Sequence, residues 1–133
     1  MKTEWLSRQL LVCPHYCLCL SQQEFKKAMD YFEIDKEVRP QFFVTPGKDA
    51  TVFRFSMGKV HVSIVCVKGW EKQKPVEVYG LLIHEAVHIW QDIVERMGER
   101  EPGVEIEAYS IQWIAQQLIN DFMTRKRKKV KRR

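Results

Sequence analysis

Residues 80–92 read GLLIHEAVHIWQD. His84 and His88 stand four apart, a spacing that puts both imidazoles on one face of a helix. Two neutral nitrogens so placed can reach one cation. Glu85, one step round, can approach a water beside that cation without being a ligand itself. This is the residue set of metal-assisted hydrolysis. Zn²⁺ lowers the pKa of a water to ~7, and a carboxylate takes the proton as the water attacks a carbonyl. The plainer reading is a helix with incidental histidines. Against it, the three polar residues interrupt the most apolar helical stretch of the chain, between Leu81-Leu82-Ile83 and Val87-Ile89-Trp90, where polar groups need partners. Half of the four histidines also lie here.

Two histidines do not complete a site, because a catalytic zinc usually takes three protein ligands and a water. A later segment, GVEIEAYSIQW, carries Glu105 and Glu107. At these two segments the sequence resembles the gluzincin-type zinc metallopeptidases. In that family a helix bearing HExxH is followed by a second helix whose glutamate is the third ligand. The resemblance implies a Zn²⁺ cofactor held by His84, His88 and Glu105, with Glu85 as catalytic base and a peptide or protein as substrate. EIEA matches the ExxA form, with Ala108 packing close to the first helix. The other register, EAYS, would make Glu107 the ligand; motif form favours Glu105. Tyr109 stands where many members have Asp or Asn. The pairing of LIHEAVHIWQ with EAYSIQ is also similar to short, uncharacterised metallopeptidase-like proteins of tailed bacteriophages and prophages, which implies a phage setting. In the family, the sheet strand nearest the site binds an extended peptide by strand addition.

Other residues could serve such a site. Asp92 lies four beyond His88 and could accept the second N–H of a ligand histidine, although a solvated helix charge is as good a reading. Tyr109, Tyr79 and His61 are candidate oxyanion donors. CPHYCLC offers Cys13, His15, Cys17 and Cys19 within one short stretch, but structural zinc sites draw on two separated pairs, so packing cysteines ahead of the first helix are expected.

The elements that must position these residues are legible from periodicity. Ser21 and Glu24 have the form of a capping box, and Phe25, Ala28, Met29 and Phe32 follow at helical spacing, which predicts a helix over about 22–33. Pro40, Pro46 and Gly47 punctuate a loop or a short extended piece, QFFVT. Alternation on either side of SMGK predicts a β-hairpin with strands at about 50–56 and 59–67. Pro75 suits a helix first turn, and apolar spacing from Val76 carries that helix to Met97-Gly98. A third helix is expected from Val104 to Met123. The fold class expected is α+β, a minimal gluzincin-like domain of a small sheet packed on two helices.

The chain of 133 residues suits one domain, taken as 1–124. No apolar run reaches the ~18 residues of a membrane span. LSRQLLVCPHYCLCL is interrupted by Arg8, Pro14 and His15, lacks a small-residue cleavage site, and has the large Val12 where a lipoprotein signal wants a small residue. A cytoplasmic protein with reduced thiols is therefore expected. The net charge of +5 is unevenly distributed. RKRKKVKRR, 125–133, holds eight of the 22 basic residues and no acid, which leaves the other 124 residues a net −3. The reading is a mildly acidic body with a basic, disordered tail. That tail is most simply a solvated charge run, and could also hold nucleic acid non-specifically.

Overall fold

The computed structural model describes residues 2–6 and 13–132. It is a small α+β fold built on a three-stranded mixed sheet. Arg8 and Val12, on which the N-terminal reading turned, lie outside the described residues. Strand β1 is His15–Cys19, β2 is Ala50–Met57 and β3 is Val60–Val67. The order is β1-β3-β2, with β1 parallel and β2 antiparallel to the central β3. Three α-helices cover the sheet: α1 (Gln22–Tyr31), α2 (Pro75–Met97) and α3 (Val104–Arg132).

The hairpin follows its expected bounds closely. Gly58 takes a φ of 63° at the first central turn position, where a type II′ hairpin turn requires a positive φ. Alternation then sorts the strands. Cys17, Cys19, Phe53, Phe55, Ile64 and Cys66 turn to the α1 side, where they meet Phe25, Ala28 and Met29. Tyr16, Leu18, Ala50, Val65 and Val67 turn to the other face, against α2 and α3. The sheet is thus the middle of three layers, with a separate apolar cluster on each face.

Two readings change. CPHYCLC, expected only as packing cysteines ahead of the first helix, has its cysteines buried but also supplies strand β1. Every residue from Tyr16 to Cys19 is fully buried, so the strand shows an unbroken apolar run rather than alternation. Its outer edge is covered by a bridge from Trp5 to Cys17 and by Leu6 N–H donating to Tyr16 O at 3.1 Å. The QFFVT piece forms no strand.

The second correction is the tail. Helix α3, expected to stop near Met123 with 125–133 disordered beyond it, continues to Arg132. The cause is Arg125, which is only 3 % exposed. Its guanidinium donates to Glu24 Oε1 and, at 2.6 Å, to the Leu18 carbonyl, and lies 3.2 Å from Asp121 one turn earlier. Glu24 is the acid of the expected capping box. Ser21 Oγ accepts from Glu24 N–H at 3.1 Å, but the Glu24 carboxylate turns to Leu20 N–H at 3.0 Å and to Arg125. One buried cation therefore ties the end of β1, the start of α1 and the last third of α3. Burial pushes the Asp121 carboxyl up to about 6 even beside that guanidinium.

Removing Arg125 would leave two buried carboxylates without their counter-charge. Arg125→Leu is expected to cost about 3–5 kcal/mol of folding free energy, the range for breaking a buried pair by deleting one partner. The measurement is the urea midpoint at neutral pH, with Arg127→Leu, an exposed position on the same helix, shifting it little.

Candidate metal centre

Helix α2 begins as its sequence implies. Pro75 occupies the first turn, and Glu77 accepts from Lys74 N–H at 3.0 Å. It ends at Gly98 in a left-handed conformation, with its N–H on Val94 O and Glu95 O. Between these caps Val78, Leu82, Ala86, Ile89 and Ile93 form a stripe that is wholly buried against the sheet. Each larger one contributes roughly 1.5–3 kcal/mol by leaving water, so the rotation of the helix about its axis is strongly held.

That rotation sets the site. His84 and His88 fall outside the buried stripe and are exposed, while Glu85, ~100° round from His84 toward the sheet, is 4 % exposed. The two imidazole Nε2 atoms lie 3.1 Å apart, with the rings nearly perpendicular at 76°. Two nitrogens bound to one tetrahedral ion at ~2.0–2.1 Å would lie roughly 3.3–3.4 Å apart, so the pair is close to the bite a shared cation needs. His88 Nδ1–H donates to Gln91 Oε1 at 3.0 Å. With its proton on Nδ1, His88 presents the Nε2 lone pair, which accepts from His84 Nε2–H at 3.1 Å; a cation bound by both rings would take the place of that one proton. Gln91, three residues on, thus does what Asp92 was a candidate to do. Its i,i+3 spacing was present in the sequence as a signal.

Burial pushes the Glu85 carboxyl above the ordinary range for glutamate. His84, His88 and Lys48 oppose that shift without cancelling it. Glu85 has no hydrogen-bond or ion-pair partner among the described residues. A carboxylate in this state is a stronger base than an exposed one, and Glu85 lines a cleft.

The cleft, about 990 Å³, runs between α2 and strand β2 and its preceding turn. One wall carries Leu81, His84, Glu85, His88 and Gln91; the other carries Lys48 to Val52 and Arg54. Lys68 N–H donates to Asp49 O at 3.0 Å, which sets the phase of the antiparallel ladder. Thr51, Phe53 and Phe55 bond inward to β3, so the backbone groups of Ala50, Val52 and Arg54 turn away from it, along the cleft edge of β2. The cations of this cleft, Lys48 and Arg54, sit in a loop and on a strand, where no motif spacing pointed to them.

The expected third ligand is not brought to the histidines. Glu105 is exposed in the first turn of α3 and has no hydrogen-bond or ion-pair partner among the described residues. Glu107 accepts from the Trp90 indole N–H at 3.0 Å. Trp90 lies two residues past His88, about 200° round the helix, so α3 meets α2 on the flank away from the cleft. Helix α2 also runs on to Met97 before the chain turns back, roughly 13 Å beyond His88 at ~1.5 Å per residue. Ala108, expected to pack on α2, is exposed. Among the described residues no group of three or more His, Cys, Asp or Glu converges where an ion could be held. The histidine pair fits a shared ion; a three-ligand set with Glu105 or Glu107 does not fit this arrangement.

The remaining candidates lie elsewhere. Tyr79 packs edge-on against Phe122, and Tyr109 is exposed on α3. His61 meets Ser56 Oγ at 3.0 Å and accepts from Arg96. Asp92 is no solvated charge. It is 5 % exposed and accepts from Arg54 at 3.2 Å and from Arg96 at 2.9 Å, tying the hairpin to the last turns of α2.

An unpaired buried acid opposes folding once it ionises. The folded-state pKa of Glu85 lies above its unfolded value. Its penalty is therefore absent below the unfolded value, grows as pH rises toward the folded value, and is constant above. Glu85→Gln in chelator-treated protein is expected to raise the urea midpoint at pH 7 and to leave it unchanged below pH ~4. Comparisons with family models, curated proteins and solved structures found no match to this chain.

Proposed function

We propose that this protein is a zinc-dependent amide hydrolase acting on peptides, with His84 and His88 as metal ligands and Glu85 as general base. The observation that carries this reading is the His84–His88 pair, 3.1 Å apart at Nε2, beside a buried, unpartnered Glu85 in a cleft walled by an open strand edge. A bound zinc ion would supply Lewis-acid activation of a water and of the scissile carbonyl. Glu85, its affinity for a proton raised by burial, takes the water's proton and returns it to the leaving amine. The outward N–H and C=O groups of Ala50, Val52 and Arg54 suit an extended peptide laid along β2 by strand addition. Lys48 and Arg54 are the cations within reach of charge developing in the cleft.

A second reading, a protein that binds metal or a partner without turnover, is supported by the placement of Glu105 and Glu107 away from the histidines. Under it, the chain serves as a phage or prophage interaction module or a nucleic-acid-associated protein.

The two readings part on one set of variants. Under the first, His84→Ala and His88→Ala lose zinc, measured by elemental analysis after dialysis. Glu85→Gln keeps zinc, and cleavage of a peptide library falls by about 10²–10⁴-fold. Chelator abolishes cleavage and added zinc restores it. Zinc bound at one equivalent with no cleavage of any peptide selects the second reading. Glu105→Ala leaves zinc affinity unchanged in either case; a tenfold or greater loss would make Glu105 a ligand and require α3 to reach the other flank of α2.

A further inference from the structure

The basic end of α3 remains unexplained by the cleft. Beyond Arg125, the helix carries Lys126, Arg127, Lys128, Lys129, Lys131 and Arg132, interrupted by Val130 alone. Lys129 is committed: it pairs with Glu71 at 2.6 Å and lies over the Trp70 ring at 5.1 Å. The other five have no acidic partner among the described residues. At ~100° per residue they spread over roughly two thirds of the helix circumference rather than one narrow face. Arg127–Lys131 and Lys128–Arg132 are like-charge pairs at i,i+4, which weaken a helix standing alone. The helix dipole accounts for cations in the last turn but not for Lys126 to Lys128, which come before it. The Arg125 anchor, buried on Glu24 and the Leu18 carbonyl, fixes the base of the arm to the fold and opposes this repulsion.

We infer that this arm is a docking element for duplex DNA, entering the major groove and pairing with phosphates on both sides. A helix charged over about two thirds of its circumference, with the remaining third packed on the body through Arg125 and Lys129, matches a groove ~12 Å wide with phosphates along both walls. An acidic protein surface would engage one face only. A membrane surface would want an apolar face opposite the cations, and this segment has only Val130, 63 % exposed. Charge segregation assists: the rest of the chain is net negative, so a phosphate rod is drawn to one end of the molecule and repelled by the remainder. The contacts are to backbone, so recognition is of duplex shape and charge rather than sequence.

The test uses the full chain and fluorescence anisotropy with a 20-base-pair DNA duplex, an RNA duplex of the same sequence, and phosphatidylcholine–phosphatidylserine vesicles. Five phosphate contacts give a log–log slope of affinity on salt of about −4 to −5, on the order of 10²–10³-fold between 50 and 200 mM. Binding is expected to be at least tenfold tighter on DNA than on RNA, whose A-form major groove is too deep and narrow for a helix. A variant with Lys126, Arg127, Lys128, Lys131 and Arg132 changed to Gln should lose about 100-fold or more. A control with Lys26, Lys27, Lys36, Lys59 and Arg100 changed to Gln alters the net charge equally, and should stay within threefold. Circular dichroism and the urea midpoint confirm that both variants are folded. No DNA binding, equal losses in the two variants, equal affinity for RNA, or vesicle binding as tight as DNA binding would each overturn the inference.

Discussion

Helix α2 has to satisfy two surfaces at once, and everything about the candidate site depends on how it does so. The stripe from Val78 to Ile93 must be dry against the sheet. A band beginning about a third of a turn away must stay open to the cleft. Glu85 lies at the seam. Were the helix rotated outward by the width of one residue, Glu85 would be solvated and an ordinary carboxylate; rotated inward, His88 would be buried and closed to a ligand. The apolar stripe holds the helix between these outcomes through several side chains, each contributing more than thermal energy. The arrangement of the polar side chains is therefore set by packing at some distance from them. Asp92, bridging Arg54 and Arg96, does the same for the gap between the helix and the hairpin.

What could be read from the sequence followed from how local the causes were. The HExxH helix and the hairpin are encoded by periods and caps within a few residues: Pro75 and Gly98 at the ends of one, Gly58 at the turn of the other. Their bounds agree with the structure to within a residue or two. Strand β1 was missed because both its faces are covered, so alternation is absent, and because Pro14 and His15 look like breaks. Its pairing with β3 joins residues some fifty positions apart, which no local pattern reports. The histidine pair was legible because i,i+4 spacing on a helix is itself a geometric statement. The position of Glu105 was not, because it depends on which flank of α2 the returning helix takes. Motif form is silent on that flank; Trp90, bonded to Glu107, decides it.

Composition misled in an instructive way at the C-terminus. Nine consecutive residues with eight cations have the look of a disordered tail, and the inference from charge to disorder is usually sound. It fails here through one residue. Arg125 shares the composition of its neighbours but points inward, where Glu24, Asp121 and the Leu18 carbonyl receive it. Lys could not span those partners with one planar group, since only a guanidinium presents several donors in a fixed fork. A run of like charges can thus conceal a structural cation, and the visible sign of it was upstream, in a capping-box glutamate with more than a cap to serve.

Glu85 connects these observations. Elsewhere in this fold buried carboxylates are matched: Glu24 and Asp121 by Arg125, Asp92 by two arginines. Among the described residues Glu85 is the buried carboxylate with no ion-pair partner; its carboxyl, like that of Asp121, is raised by a desolvation that nearby positive charge does not offset. A chain that matches three buried acids could have placed an apolar residue at the fourth, next to Ala86 in a stripe that would accept one. Holding an acid there costs stability at neutral pH, and the two imidazoles beside it lie within 3.1 Å of each other without a carboxylate between them. An unpaired buried acid beside a preformed pair of nitrogen donors is an arrangement suited to proton transfer. It is the physical ground for proposing this cleft, rather than another surface of the molecule, as a candidate site for chemistry.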